Sequence, residues 1–144
     1  MQHSIAIAGL DDHKDDIVVA VMVPVIDRRT GVLQEGCFEE TKIPNEYHKA
    51  KKAFTRLHKR FPGLQCVYEA SGAGFVLYRW LKQWGISCEV VAPSKTPRAA
   101  GDKIKTDRRD ARKLAQQYFA GHLEAIRVPD EKQEALRDLV RCRE

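Results

Sequence analysis

Strand-like and helix-like segments follow one another along this chain in an order that few folds can accommodate. The first forty-two residues read as three strands: an apolar run near 4–11 ending at Asp11, a Val- and Ile-rich run near 16–25, and a third near 32–42 after the turn DRRTG. An antiparallel meander is the natural way to join them. Pro44 and Asn45 then open a helix in which Tyr47, Ala50, Phe54, Leu57 and Phe61 step by three and four, and Pro62-Gly63 closes it. A buried strand (64–70), a glycine-rich turn (SGAG), a helix (FVLYRWLKQWG) stopped by Gly85 and another strand (86–93) come next.

The stretch SKTPRAAGDKIK has no periodicity and predicts a basic, mobile loop. After it a helix is expected with Thr106 as its N-cap and Gly121 as its stop, then a short strand or extended link over 125–129. A last helical pattern starts at Asp130 and is still running at the final residue. Three antiparallel strands, then strands joined by helical crossovers, make an α/β fold: a mixed sheet with helices on both faces, plus an appended C-terminal helix. That is the ribonuclease H-like layout. At 144 residues one domain is expected.

Composition excludes more than it selects. No apolar run approaches membrane-spanning length, and the N-terminus lacks the features of a signal peptide, so a cytoplasmic protein is expected. Cys37, Cys66, Cys88 and Cys142 form no C-x-x-C pair, and the five histidines form no ligand set, so reduced thiols and no structural zinc are expected. The net charge of +5 is unevenly placed. Lys95, Arg98, Lys103, Lys105, Arg108, Arg109, Arg112 and Lys113 stand against only Asp102, Asp107 and Asp110, so this segment alone matches the whole excess. Localised positive charge attracts a phosphate backbone, and these eight side chains are the candidate nucleic-acid contacts.

Carboxylates inside that basic run call for a reason. Asp107 and Asp110 are three apart, and on a helix they would share a face with Ala111, Leu114, Ala115 and Tyr118, while Arg108, Arg109, Arg112 and Lys113 would point mostly outward. Asp11 ends the first strand and Glu69 the fourth; if those strands are neighbours, their carboxylates converge. Each acid alone has an ordinary explanation, such as a first-turn helix acid for Asp107 or a turn residue for Asp11. Together Asp11, Glu69, Asp107 and Asp110 would repel one another, and the expected remedy is Mg²⁺ (or Mn²⁺), two ions suited to an all-oxygen site. Such a pair can activate an attacking oxygen and stabilise a leaving one at a phosphodiester.

With these residues on view, the chain resembles the N-terminal catalytic domain of the DEDD transposases of bacterial insertion sequences, the group that includes the Piv-like DNA invertases. The resemblance rests on GLDDHK (9–14), YEASGAGFVLYRWL (68–81), VVAPSKTPRAAGDKIKTDRRDARKLA (90–115) and VPDEKQEALRDLVRCRE (128–144). It implies a fold like that of the Holliday-junction resolvase RuvC and a catalytic, metal-binding tetrad on the same four residues. It also implies DNA as substrate, cleaved and transferred at the ends of an insertion sequence, an element-encoded guide RNA in some members, and a homo-oligomer. The family carries a further C-terminal domain with a nucleophilic serine. Residues 1–127 are therefore expected to be the catalytic domain and 128–144 the start of a helical connection, a fragment that binds metal and nucleic acid without completing recombination.

Three other readings compete: a stand-alone RuvC-like nuclease selective for branched DNA, a phosphotransferase of the actin and sugar-kinase type, and a non-catalytic nucleic-acid-binding module. The acids of DDHKDD would repel a phosphate, which disfavours the phosphotransferase.

Overall fold

In the computed structural model the described residues are 5–72, 74–96, 105–107, 109–133, 135–136 and 139, with the backbone alone for 94–96 and 105–107. The strands are β1 (Ile7–Asp12), β2 (Asp16–Met22), β3 (Val25–Ile26), β4 (Leu33–Gln34) and β5 (Phe38–Pro44), followed by helix α1 (Tyr47–Arg60) and β6 (Gln65–Glu69). Then come α2 (Val76–Gln83), β7 (Ser87–Val91), β8 (Ser94–Thr96), β9 (Lys105–Asp107) and α3 (Ala111–Phe119).

Five strands form the main sheet in the order β5-β2-β1-β6-β7. The β1–β2 and β2–β5 pairs are antiparallel, and the β1–β6 and β6–β7 pairs are parallel. A meander continued by crossover strands was expected, and this is the ribonuclease H-like arrangement. Its two faces can be read from the alternation along β1. Ala8 and Leu10 point to the side covered by α1 and α2, with Phe54, Leu77 and Leu81. Ile7 points to the other side, where Leu114 and Ala115 of α3 pack with Met22 and Val67. Gly9 shares that second face, and a Cβ there would lie 1.8 Å from the Ala111 carbonyl oxygen. The absent side chain is what lets α3 rest directly on β1.

Helix α1 buries Ala50 and Phe54, and sealing a ring such as Phe54 is worth about 2–3 kcal/mol. Its N-cap is Glu46, whose carboxylate accepts from the amides of His48 and Lys49 at 3.1 and 3.0 Å. Helix α2 has no side-chain cap of its own at Phe75; the Tyr78 amide donates to the Tyr68 hydroxyl of β6 at 3.2 Å. Gly85 and Gly121 stop α2 and α3 with φ near +77°, as the sequence suggested. Residues 124–126 extend the sheet edge through an isolated antiparallel bridge from Ala125 to Val91, and Arg79 donates to the Pro129 carbonyl at 3.1 Å. Beyond it, Asp130 and Gln133 cap each other reciprocally, and residues 131–133 are helical.

Three expectations need correction. The third sheet strand begins at Phe38, not near residue 32, because β3 and β4 pair with each other around the DRRTG turn. Gly31 at φ 72° and an Asp27 carbonyl accepting from the Gly31 amide at 2.7 Å close that turn. The segment after β7 is not wholly irregular, since β8 and β9 pair antiparallel with Ser94 opposite Asp107; residues 97–104 lie outside the described ones. Helix α3 starts at Ala111, so Thr106 and Asp107 belong to a strand and Asp110 is the N-cap.

Candidate active site

The parallel register of β1 and β6 ends with Leu10 opposite Tyr68. Asp11 and Glu69 are the next residue on each strand, so two carboxylates stand at adjacent strand ends. Alternation puts both on the face that carries α3. Both are shielded, with side chains 14% and 6% exposed. The Asp11 carboxylate lies 2.9 Å from Nε2 of His13, which the β1–β2 turn brings back over the strand end.

Glu69 is engaged by Arg109, and the expectation that this arginine points outward was wrong. The Arg109 amide donates to Oε2 at 3.0 Å, while Nη1 lies 3.4 Å from Oε1 and donates to the Ala92 carbonyl at 3.1 Å. A shielded carboxylate at a strand end needs a compensating charge, and the nearest chain to supply one is the segment leading into α3. The fit is incomplete, because Nε of Arg109 is buried without a hydrogen-bond partner among the described residues.

Asp110 follows at the start of α3. Its carboxylate accepts from the Lys113 amide at 2.7 Å, and its backbone is extended. Asp107 and Asp110 therefore do not share a helical face: one is on β9 and the other caps α3. The side chain of Asp107 lies outside the described residues. Ala111, Leu114 and Ala115 do face the sheet, as the apolar stripe required.

On the opposite face the Asn45 amide group donates to Asp12 at 2.8 Å and to the His13 carbonyl at 2.6 Å, pinning the β1–β2 turn to the start of α1. An open cleft of about 560 Å³ lies there, bordered by Asp12, His13, Lys14, Asn45, Ser71 and Gly72. Sequence reading missed Asn45 as the clamp on this turn and took Arg109 only for a nucleic-acid contact. An unbalanced carboxylate at a strand end was the signal that could have pointed to Arg109.

Asp11 and Glu69 suit an oxygen-seeking cation in chemistry and placement, being carboxylates on adjacent strand ends of one face. Among the described residues, however, no cluster of three or more potential ligands is gathered. Of the expected nucleic-acid contacts, Arg112 and Lys113 are exposed on α3; Arg112 lies 3.5 Å from Glu40 and covers the ring of Phe38. Lys95 and Lys105 fall on the β8–β9 ribbon. Arg98, Lys103 and Arg108 lie outside the described residues.

A family model described as a transposase, of the DEDD type found in IS110 elements, matches residues 8–144. The transposase for insertion sequence element IS1533 of Leptospira borgpetersenii is 36% identical over 137 residues, covering 94% of this chain and 37% of that protein. The transposase-type protein y4qE of Sinorhizobium fredii is 47% identical over 93 residues, 65% of this chain and 24% of its own. The chain thus spans well under half the length of these relatives. Among solved structures, RuvC of Thermus thermophilus aligns over 62% of each chain with 14% identity and a TM-score of 0.45. The fowlpox virus resolvase in complex with Holliday junction DNA aligns over 67% of this chain and 66% of its own, with 13% identity and a TM-score of 0.41.

Proposed function

Because this chain belongs to the DEDD transposase family of IS110 type, we propose that it is the catalytic domain of a metal-dependent DNA transposase or site-specific recombinase. Residues 1–127 form the catalytic unit in this reading, and 128–144 begin a helical connection. The observation that supports it most is the placement of Asp11 and Glu69 at adjacent strand ends on the face where Asp110 starts α3.

Asp11, Glu69, Asp107 and Asp110 would hold Mg²⁺ or Mn²⁺ in this reading. When bound, two such ions would supply electrostatic stabilisation of the attacking and leaving oxygens at a phosphodiester. The chain's own contribution is separable from that. Arg109 orients the Glu69 carboxylate, and His13 orients Asp11 from the turn. Arg112 and Lys113, with Lys95 and Lys105, hold the phosphate backbone beside the cut. The full-length protein would act in the cytoplasm on insertion-sequence ends as a homo-oligomer, with an element-encoded guide RNA as a further partner. No helix among the described residues is long and apolar enough to cross a membrane.

Calorimetric titration of Mn²⁺ into the chain and its Asp11→Asn variant, each with duplex DNA, tests the reading. Heat of binding in the parent that disappears in the variant is expected. Equal binding by both would sink it.

A further inference from the structure

Helix α1 carries charge that the candidate active site does not use. Between Tyr47 and Arg60 there are six cations (Lys49, Lys51, Lys52, Arg56, Lys59, Arg60) and no Asp or Glu, so this one helix contributes +6 to a chain whose net charge is +5. Its apolar side is committed to the core through Ala50 and Phe54, and all six cations are exposed. We propose that the outer face of α1 is a second phosphodiester-binding surface, on the opposite side of the sheet from Asp11 and Glu69.

Three observations support it. Lys52, Arg56 and Arg60 are spaced four apart, an arrangement in which like charges destabilise the helix that bears them. Little in the described structure relieves this: Arg60 pairs with Glu39 at 2.6 Å, and among the described residues no ion pair reaches Lys51, Lys52, Arg56 or Lys59. An open groove of about 400 Å³ follows the same face, lined by His48, Lys51, Lys52, Thr55, Arg56 and Lys59. Every lining side chain can donate a hydrogen bond and none is a carboxylate.

The dimensions suit a polyanion. At about 1.5 Å per residue the groove runs roughly 16 Å from His48 to Lys59, with a cation at nearly every turn. Duplex DNA presents one charge per about 1.7 Å of axis, so several phosphates fall within reach. A membrane surface is the poorer match, because an interfacial helix must offer its apolar side to lipid and α1 has buried its own. The surface lies apart from the carboxylates, so it stands or falls independently of metal binding. A nucleic acid engaged at both places would have to extend around the sheet edge, or two segments would have to be held at once.

The test is fluorescence anisotropy of the chain and its Lys52→Gln/Arg56→Gln/Lys59→Gln variant. The probes are a duplex DNA of about 30 base pairs and a single-stranded RNA of equal length, each over a salt series. We expect the variant to bind at least about tenfold more weakly at low salt, with a log–log salt slope shallower by about 2–3 on duplex. Its thermal melt should be unchanged or higher, since like-charge repulsion has been removed. Loss on DNA alone, RNA alone or both supports the surface and identifies its ligand. Unchanged affinity and slope on both overturns it. Should the triple variant fold poorly, Arg56→Gln alone must make the duplex slope shallower by about one.

Discussion

Arg109 holds Glu69 from two directions, with its amide 3.0 Å from one carboxylate oxygen and its guanidinium 3.4 Å from the other. Glu69 closes β6 and Arg109 immediately precedes the N-cap of α3. The same guanidinium reaches the Ala92 carbonyl just after β7. One side chain thus ties two strand ends to the start of a helix, and the charge that would attract a cation already has a counter-ion.

Removing that counter-ion should separate stability from metal affinity. Arg109→Met is expected to cost about 2–3 kcal/mol in urea unfolding without divalent ions, less than a wholly buried pair because Arg109 keeps 13% exposure and its amide contact survives. In the same variant Mn²⁺ should bind about tenfold more tightly, since the cation no longer competes with a guanidinium at Glu69. Unchanged Mn²⁺ affinity by calorimetry would mean that Glu69 does not receive the ion.

Asp110 allows its structural and chemical roles to be split. Asn caps a helix about as well as Asp, so Asp110→Asn should leave the melting temperature nearly unchanged, whereas Asp110→Ala should cost about 1 kcal/mol. If Asp110 also holds metal, both variants should lose DNA-dependent Mn²⁺ binding to a similar degree. A loss that tracks only the stability change would assign Asp110 to capping alone.

Gly9 tests how closely α3 must approach the sheet. An added methyl group would meet the Ala111 carbonyl oxygen at 1.8 Å and the Ala115 amide nitrogen at 2.9 Å, backbone atoms that no rotamer change can move. Gly9→Ala should therefore cost about 3 kcal/mol, at the upper end for overpacking, and displace the helix that begins at Asp110. Urea unfolding with hydrogen exchange at Leu114 and Ala115 checks both, and exchange protection equal to the parent would contradict it.

The main sheet was legible because β1 and β2 are mostly apolar runs and because helices end at glycines such as Gly85 and Gly121 that adopt positive φ. Most of what escaped reading has local causes. The strands β3 and β4 are two residues each, too short to show an alternation, and Val25, Ile26, Val32 and Leu33 stay exposed, so their hydrophobicity misdirected the strand boundary. Thr106 and Asp110 are both good caps, and the choice falls to Asp110 because the apolar stripe begins only at Ala111; nothing apolar in 107–110 would hold another helical turn to the sheet. Counting charge revealed that Arg109 is basic but not where it points. That depends on Glu69, forty residues away.

Burial of thiols and a phenol makes the fold sensitive to alkali. The Cys66 thiol, sealed between α1 and α2 and the sheet, is pushed up from 9.0 to about 12, and burial raises Cys88 and Tyr68 as well. Above the unfolded value the unfolded chain sheds protons that the native state keeps, so it binds fewer protons and stability falls as pH rises. The contribution of Cys66 is complete below pH 9 and is lost between pH 9 and about 12. Each such group should steepen the decline by about 1.4 kcal/mol per pH unit within its window. Cys66→Ala should lower stability at neutral pH by about 1 kcal/mol, for a small buried group removed, yet flatten the alkaline slope by one group's share. Urea midpoints between pH 8 and 11 measure both effects, and parallel curves for parent and variant would show that the thiol ionises freely in the native state.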